Sequence, residues 1–148
     1  FFSGFKKLGF IAKIEIEKIP LVKTWMSFMH CVFMDRSNLR KSGEAIIKGV
    51  KNLKAGNSMV IFPEGTRSKG GPMKEFKAGS FKLATKAKCP IIPVTMDGSY
   101  KILEANGKWI KPAIVNLYFH KAIETENLTK EEQDLLPKQV HNIISKVL

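Results

Sequence analysis

The segment 62–68, with the sequence FPEGTRS, concentrates side chains that could bind a phosphate group. Thr66 carries a hydroxyl donor, and Arg67 carries a planar guanidinium whose N–H groups match phosphate oxygens. Gly65 lets the backbone approach a ligand closely. Glu64 is the exception, because a carboxylate repels phosphate unless it orients Arg67 or binds a substrate hydroxyl. A surface turn with an ordinary ion pair explains the same residues equally well.

A second arginine ends another apolar segment in the same way. Residues 33–36, with the sequence FMDR, place Arg36 directly after a predicted strand. Ligands of open α/β sheets bind at the carboxyl ends of strands. If the two strands were neighbours, Arg36 and Arg67 would lie at one rim and could clamp a phosphate. The alternative for Arg36 is an ion pair with Asp35 or a position at the sheet edge.

Composition favours an anionic partner for this chain of 148 residues. Its 25 Lys and Arg exceed its 13 Asp and Glu, which gives a formal charge of +12. The lysines are scattered along the chain rather than grouped in consecutive runs, and no zinc-finger spacing or RNA-binding motif accompanies them. We therefore expect a membrane surface with anionic lipid as a partner, and no nucleic acid. Two cysteines form no disulfide framework, which favours a reducing compartment.

Arg36 and the FPEGTRS motif have to be positioned by the strands and helices around them. Apolar runs alternate with helical patterns along the chain, and this alternation predicts a single α/β domain over residues 1–148. Its central sheet would be largely parallel and flanked by helices. The predicted strands are 9–14, 31–34, 59–62, 91–94 and 113–119. Helices are predicted from Pro20, over 39–53 with Ser37 or Asn38 as cap, over 78–88, and from Thr129 onward. The strand 59–62 is uninterrupted apolar and predicted to be buried on both faces.

The motifs FMDR, FPEGTRS and IIPV, the last at 91–94, together resemble the signature set of the glycerolipid acyltransferase family. Within it they are similar to the 1-acyl-glycerol-3-phosphate acyltransferases of the PlsC type. The resemblance covers roughly residues 8–122 and implies a glycerol-phosphate-acyltransferase-like fold. It implies acyl transfer from acyl-CoA or acyl carrier protein to lysophosphatidate, giving phosphatidate, with no further cofactor and no metal. The substrate-binding residues it implies are Arg36, Glu64, Gly65, Thr66 and Arg67.

The resemblance also implies a His-x4-Asp dyad, N-terminal to the other motifs, as general base and its orienting partner. His30 and Asp35 have this spacing. We interpret it as a coincidence, because five steps along a strand span roughly 16 Å and place the side chains on opposite faces. We therefore predict no catalytic residue in this chain, a dyad upstream of Phe1, and an N-terminally truncated domain that is inactive alone.

Two other hypotheses compete with an acyltransferase that works at the cytoplasmic face of the membrane. A degenerate relative would bind anionic lipid or a phosphorylated ligand without catalysis. A nucleic-acid-binding protein would show a steep dependence of affinity on salt. His120 and His141 have no acidic residue placed for a dyad, and we expect each to lie at the surface or to be satisfied by neighbours.

Overall fold

The computed structural model describes residues 7–107 and 109–148. They group into two compact units. The first comprises Phe1–Phe62 and Lys82–Ala87, and the second comprises Pro63–Phe81 and Lys88–Leu148. Each unit has its own sheet and is described by itself below. A single domain over 1–148 stays a prediction.

The first unit contains a three-stranded parallel sheet in the order β2-β1-β3. Its strands are β1 (Leu8–Lys13), β2 (Val32–Met34) and β3 (Ser58–Val60). Its helices are α1 (Pro20–Phe28), α2 (Leu39–Lys54) and α3 (Lys82–Ala87). Helix α2 packs against β2 and β3, and α3 packs against α2. The predicted α/β class, with a parallel sheet and flanking helices, is confirmed.

Local sequence explains where the two longer helices of this unit begin. Pro20 occupies the first turn of α1, where its missing N–H and fixed φ cost nothing. At α2, the side chain of Asn38 accepts a hydrogen bond from the Lys41 N–H at 3.1 Å. Of the two predicted caps, Asn38 is thus the one that satisfies an otherwise unpaired donor.

The first unit has a small buried centre. Its buried apolar side chains are Cys31, Val32, Ala45 and Leu83. Gly49 of α2 lies so close to α3 that a Cβ there would be 2.6 Å from Cδ1 of Leu83. The two helices therefore meet where α2 has no side chain.

The prediction of a strand buried on both faces at 59–62 is wrong. Strand β3 ends at Val60, its residues are half-buried, and Phe62 is 52% exposed. An apolar run indicates that a segment can be buried, but whether it is buried depends on the elements that pack against it.

The second unit contains a two-stranded antiparallel sheet, β4 (Val94–Asp97) with β5 (Asn116–Phe119). The predicted strands at 91–94 and 113–119 thus pair with each other in a separate sheet. Strand β4 begins only at Val94, while Ile91 forms a single bridge with Ile123. The predicted helix at 78–88 begins as a 3-10 turn, Ala78–Ser80, before α3.

Helix α4 (Lys130–Ser145) supplies most of the core of the second unit. Thr129 and Glu132 form a capping box at its N-terminus, and the predicted helix from Thr129 onward is confirmed. Leu136 and Val140 pack with Phe81 in the buried cluster. The helix continues through Pro137 without a break.

Candidate functional site

The FPEGTRS motif runs into a compact loop of the second unit. The N–H of Lys77 donates to the carbonyl oxygen of Pro63 at 3.0 Å and closes the loop at its base. Residues between them form neither helix nor strand. A loop of this length with its ends joined is an Ω-type loop, a common carrier of functional side chains.

Glu64 shapes the loop from inside. Its Oε2 accepts a hydrogen bond from the backbone N–H of Lys74 at 3.2 Å. The next residue, Gly65, has φ of 71°, a left-handed conformation that other side chains rarely adopt. Further along, Ser68 Oγ accepts from the N–H of Gly70 at 3.2 Å. The carboxylate at position 64 is therefore part of the loop's scaffold.

Arg67 projects from this loop toward solvent. Its side chain is 79% exposed, and its Nη1 lies 3.1 Å from Oε1 of Glu104, whose side chain is only 15% exposed. The alternative in which Glu64 orients Arg67 is therefore wrong, since Glu104 has that contact. Thr66 beside it is exposed too. The loop thus presents a guanidinium and a hydroxyl, both donors that suit a phosphate.

Arg36 belongs to the first unit, two residues after β2. The strands β2 and β3 are not neighbours, because β1 lies between them. Both run parallel to β1, so their carboxyl ends face the same edge of the sheet. Arg36 and Arg67 are placed in different units. Their joint contact with one phosphate stays a prediction.

Asp35 organises the turn that carries Arg36. Its Oδ1 accepts hydrogen bonds from the hydroxyl of Ser37 at 2.6 Å and from the Ser37 N–H at 3.0 Å. Lys41 Nζ lies 3.8 Å from Oδ2. The Ser37 hydroxyl first, then its N–H, lowers the pKa of Asp35, so the carboxyl is ionised at neutral pH. Its role here is to shape the turn.

The histidines have partners other than carboxylates. His30 Nε2 lies 3.2 Å from Lys7 Nζ, whereas Asp35 contacts Ser37 and Lys41. The two members of the His30-x4-Asp35 spacing thus have separate partners.

The other two histidines take part in packing within the second unit. His120 Nε2 lies 2.8 Å from the hydroxyl oxygen of the fully buried Thr95. The ring of His141 contacts Phe76 edge-on, with centroids 5.1 Å apart. As expected, the His120 ring is satisfied by a neighbour, whereas the contact seen for His141 is with an aromatic ring.

The one thiol of the second unit is poorly suited to nucleophilic chemistry. Burial raises the pKa of Cys89 above its model-compound value of 9.0, so the thiol is protonated at neutral pH. Within residues 7–107 and 109–148, no group of three or more His, Cys, Asp or Glu could hold a metal ion. No helix in the same part of the chain is long and apolar enough to cross a membrane.

Glu104 and Lys74 are the contacts of this site that the sequence analysis missed. Lys74 contributes only a backbone N–H, which a side-chain pattern cannot reveal. The sequence gives a weak indication of the role of Glu104, because it is the only acidic residue between Asp97 and Glu124. A lone carboxylate in a basic segment is a candidate partner for an arginine elsewhere.

Comparisons with known proteins agree on one family. The Acyltransferase family model matches residues 2–97. The 1-acyl-sn-glycerol-3-phosphate acyltransferase of Borreliella burgdorferi is 32% identical over 138 residues, which cover 93% of this chain and 55% of that protein. A probable 1-acyl-sn-glycerol-3-phosphate acyltransferase of Mycoplasma genitalium is also 32% identical and is covered to 54%.

A solved structure agrees with these sequences. The crystal structure of the 1-acyl-sn-glycerophosphate acyltransferase PlsC from Thermotoga maritima superimposes with a TM-score of 0.76 at 30% identity. The match covers 95% of this chain and 55% of that one. The chain therefore spans about half the length of the relatives it matches.

Proposed function

Since this chain belongs to the acyltransferase family, we propose that the full-length protein is a 1-acyl-sn-glycerol-3-phosphate acyltransferase. It would transfer an acyl group from acyl-CoA or acyl carrier protein to lysophosphatidate and release phosphatidate. The observation that carries the proposal is the closed loop 63–77, which presents Arg67 and Thr66 to solvent. The names of the relatives support the choice of acceptor.

The chemistry divides between two parts of the protein. The free hydroxyl of lysophosphatidate attacks the thioester carbonyl, a C–O bond forms, and the C–S bond breaks. A general base takes the hydroxyl proton and returns it to the departing thiolate. We propose that a His-x4-Asp dyad outside this chain supplies that base, so the chain alone is inactive. Acyl transfer changes no oxidation state, and the proposal includes no cofactor or metal beyond the acyl donor.

The residues of this chain would bind the acceptor. The guanidinium of Arg67 and the hydroxyl of Thr66 donate to the phosphate, with the φ of Gly65 setting their direction. Glu64 contributes by fixing the loop through the Lys74 N–H. Arg36 would add a second positive charge. Holding the phosphate orients the acceptor hydroxyl toward the thioester, which lowers the entropic part of the barrier.

Replacement of Arg67 by alanine tests this assignment. A hydrogen bond to a charged group contributes about 1.5–3 kcal/mol, which corresponds to a rise in KM for lysophosphatidate of about 10- to 150-fold. Since Arg67 is 79% exposed, the melting temperature should stay nearly unchanged. Initial rates of phosphatidate formation by the full-length protein measure both kcat and KM.

Arg40→Ala is the matched control, because Arg40 is 90% exposed on α2 and pairs only with Glu44 in an ion pair between helical neighbours. It removes the same charge and should leave KM unchanged. An unchanged KM in Arg67→Ala would contradict the proposed phosphate contact.

We also propose that the protein acts at the cytoplasmic face of a membrane that contains anionic lipid. Helix α1 supports this location, since Leu21, Trp25 and Phe28 share one face and are 86%, 68% and 73% exposed. Such a face, on a chain with a formal charge of +12, suits the interface of an anionic bilayer. A substrate with an acyl chain would be drawn from the same surface.

A further inference from the structure

The ion pair between Arg67 and Glu104 is asymmetric in a way that points to a role for the carboxylate. Glu104 is mostly covered, at 15% exposure, while its partner is 79% exposed. A covered carboxylate requires a partner, whereas an exposed guanidinium is solvated without one. The covered carboxylate of Glu104 therefore restricts the direction in which the exposed Arg67 side chain points.

The segment that carries Glu104 is itself well braced. It contains two 3-10 turns, Ser99–Lys101 and Glu104–Asn106. The side-chain amide of Asn106 donates to the carbonyl oxygens of Lys101 and, at 3.4 Å, Ile102. In addition, the N–H of Lys111 donates to the Ile102 carbonyl at 2.9 Å. These bonds brace the backbone on both sides of Glu104.

A second, independent contact joins this segment to the loop. Gly70 packs against the ring of Tyr100 so closely that a Cβ at Gly70 would lie 2.7 Å from Cε2 of Tyr100. Gly70 also has φ of 87°, so a side chain there is excluded by both conformation and space. The loop thus lies against the 99–106 segment at Gly70 and at Arg67.

We propose that Glu104 is a positioning residue for the acceptor phosphate. It aligns Arg67 through one edge of the guanidinium and leaves the remaining N–H groups for phosphate oxygens. This inference rests on the proposed function. Glu104 lies beyond residues 2–97, the part of the chain that the family model matches. The site therefore includes a contribution from the segment that follows β4.

A double-mutant cycle in the full-length protein tests the role. Glu104→Gln removes the charge and keeps the size, and we expect KM for lysophosphatidate to rise about fivefold, as for the loss of a modest ion pair, with kcat unchanged. In an Arg67→Ala background the same change should have no further effect, because the group it positions is gone. Glu126→Gln, an exposed carboxylate of the same unit, controls for net charge.

Trypsin provides a readout that does not need activity. Cleavage after Arg67, located by mass spectrometry, should be severalfold faster in Glu104→Gln than in the unmodified protein or in Glu126→Gln. Unchanged cleavage after Arg67 would overturn the positioning role even if the protein proved to have another substrate. The positioning role would also be overturned if Glu104→Gln raised KM for lysophosphatidate equally in the unmodified protein and in the Arg67→Ala background. A fall in KM would show instead that Glu104 opposes phosphate binding.

Discussion

At the scale of single residues, three carboxylates shape the loops and turns beside the proposed site. Glu64 accepts a backbone N–H, Asp35 accepts two donors from Ser37, and Glu104 aligns an arginine. Each of them fixes a segment beside a guanidinium that we assign to phosphate binding. These carboxylates thus hold the backbone and side chains of the site in place, although the proposed ligand is itself negatively charged.

Cys89 gives a prediction at the same scale. Because burial raises the pKa of its thiol, the thiolate fraction at pH 7.5 is lower than in a free thiol. Alkylation of Cys89 by iodoacetamide, followed by peptide mass spectrometry, should be severalfold slower than alkylation of N-acetylcysteine. The reaction should accelerate as pH rises toward and through the raised pKa. Alkylation faster than that of the free thiol would mark Cys89 as an activated nucleophile.

The chemical types of the site residues could be identified from the sequence, but their partners could not. FPEGTRS reveals a glycine, a hydroxyl and a guanidinium at one place in the chain. The contact between Arg67 and Glu104 joins residues 37 positions apart and depends on how the loop folds against the 99–106 segment. Helices and strands give repeating patterns in a sequence, but a contact between two loops so far apart in the chain gives none.

At the scale of elements, α1 exposes three large apolar side chains, Leu21, Trp25 and Phe28. Its sequence predicts a helix with one apolar face, and the structure confirms the helix from Pro20. The packing of that face could not be predicted, since periodicity identifies an apolar side without saying what covers it. The same limit explains why β3 is only half-buried.

Tryptophan fluorescence tests whether α1 contacts lipid. The emission of Trp25, obtained as the difference between the unmodified protein and Trp25→Phe, should shift to shorter wavelength with phosphatidylglycerol vesicles. Phosphatidylcholine vesicles and high salt should weaken the shift, because the attraction is partly electrostatic. Trp109, which is 78% exposed outside α1, is the matched comparison. A shift of Trp109 with none of Trp25 would show that α1 is covered by another part of the protein.

The topology of the sheets was only partly predictable for a related reason. Alternating apolar runs favour a parallel sheet, and β1 to β3 form one. The pairing of β4 with β5 is antiparallel, and the connection between them is much longer than the two-residue turn of a tight hairpin. Strand direction beyond the first three strands depends on contacts distant in sequence.

At the scale of the whole molecule, the excess of positive charge lies mainly in the first unit. In the described part of the first unit, twelve Lys and Arg accompany four Asp and Glu. Such a surface would attract both an anionic bilayer and a substrate whose head group is a phosphate. The apolar face of α1 belongs to this same unit, so charge and exposed apolar surface occur together.

The central claim is that the protein recognises the phosphate of its acyl acceptor. It is tested most directly by comparing lysophosphatidate with a monoacylglycerol of the same chain, which lacks only the phosphate, as acceptors for the full-length protein. A site built for a polar group rejects an analogue without it, so we predict that kcat/KM falls at least about 100-fold for the monoacylglycerol. Equal rates with the two acceptors would contradict the account, and binding of lysophosphatidate without ester formation would favour a non-catalytic lipid-binding protein.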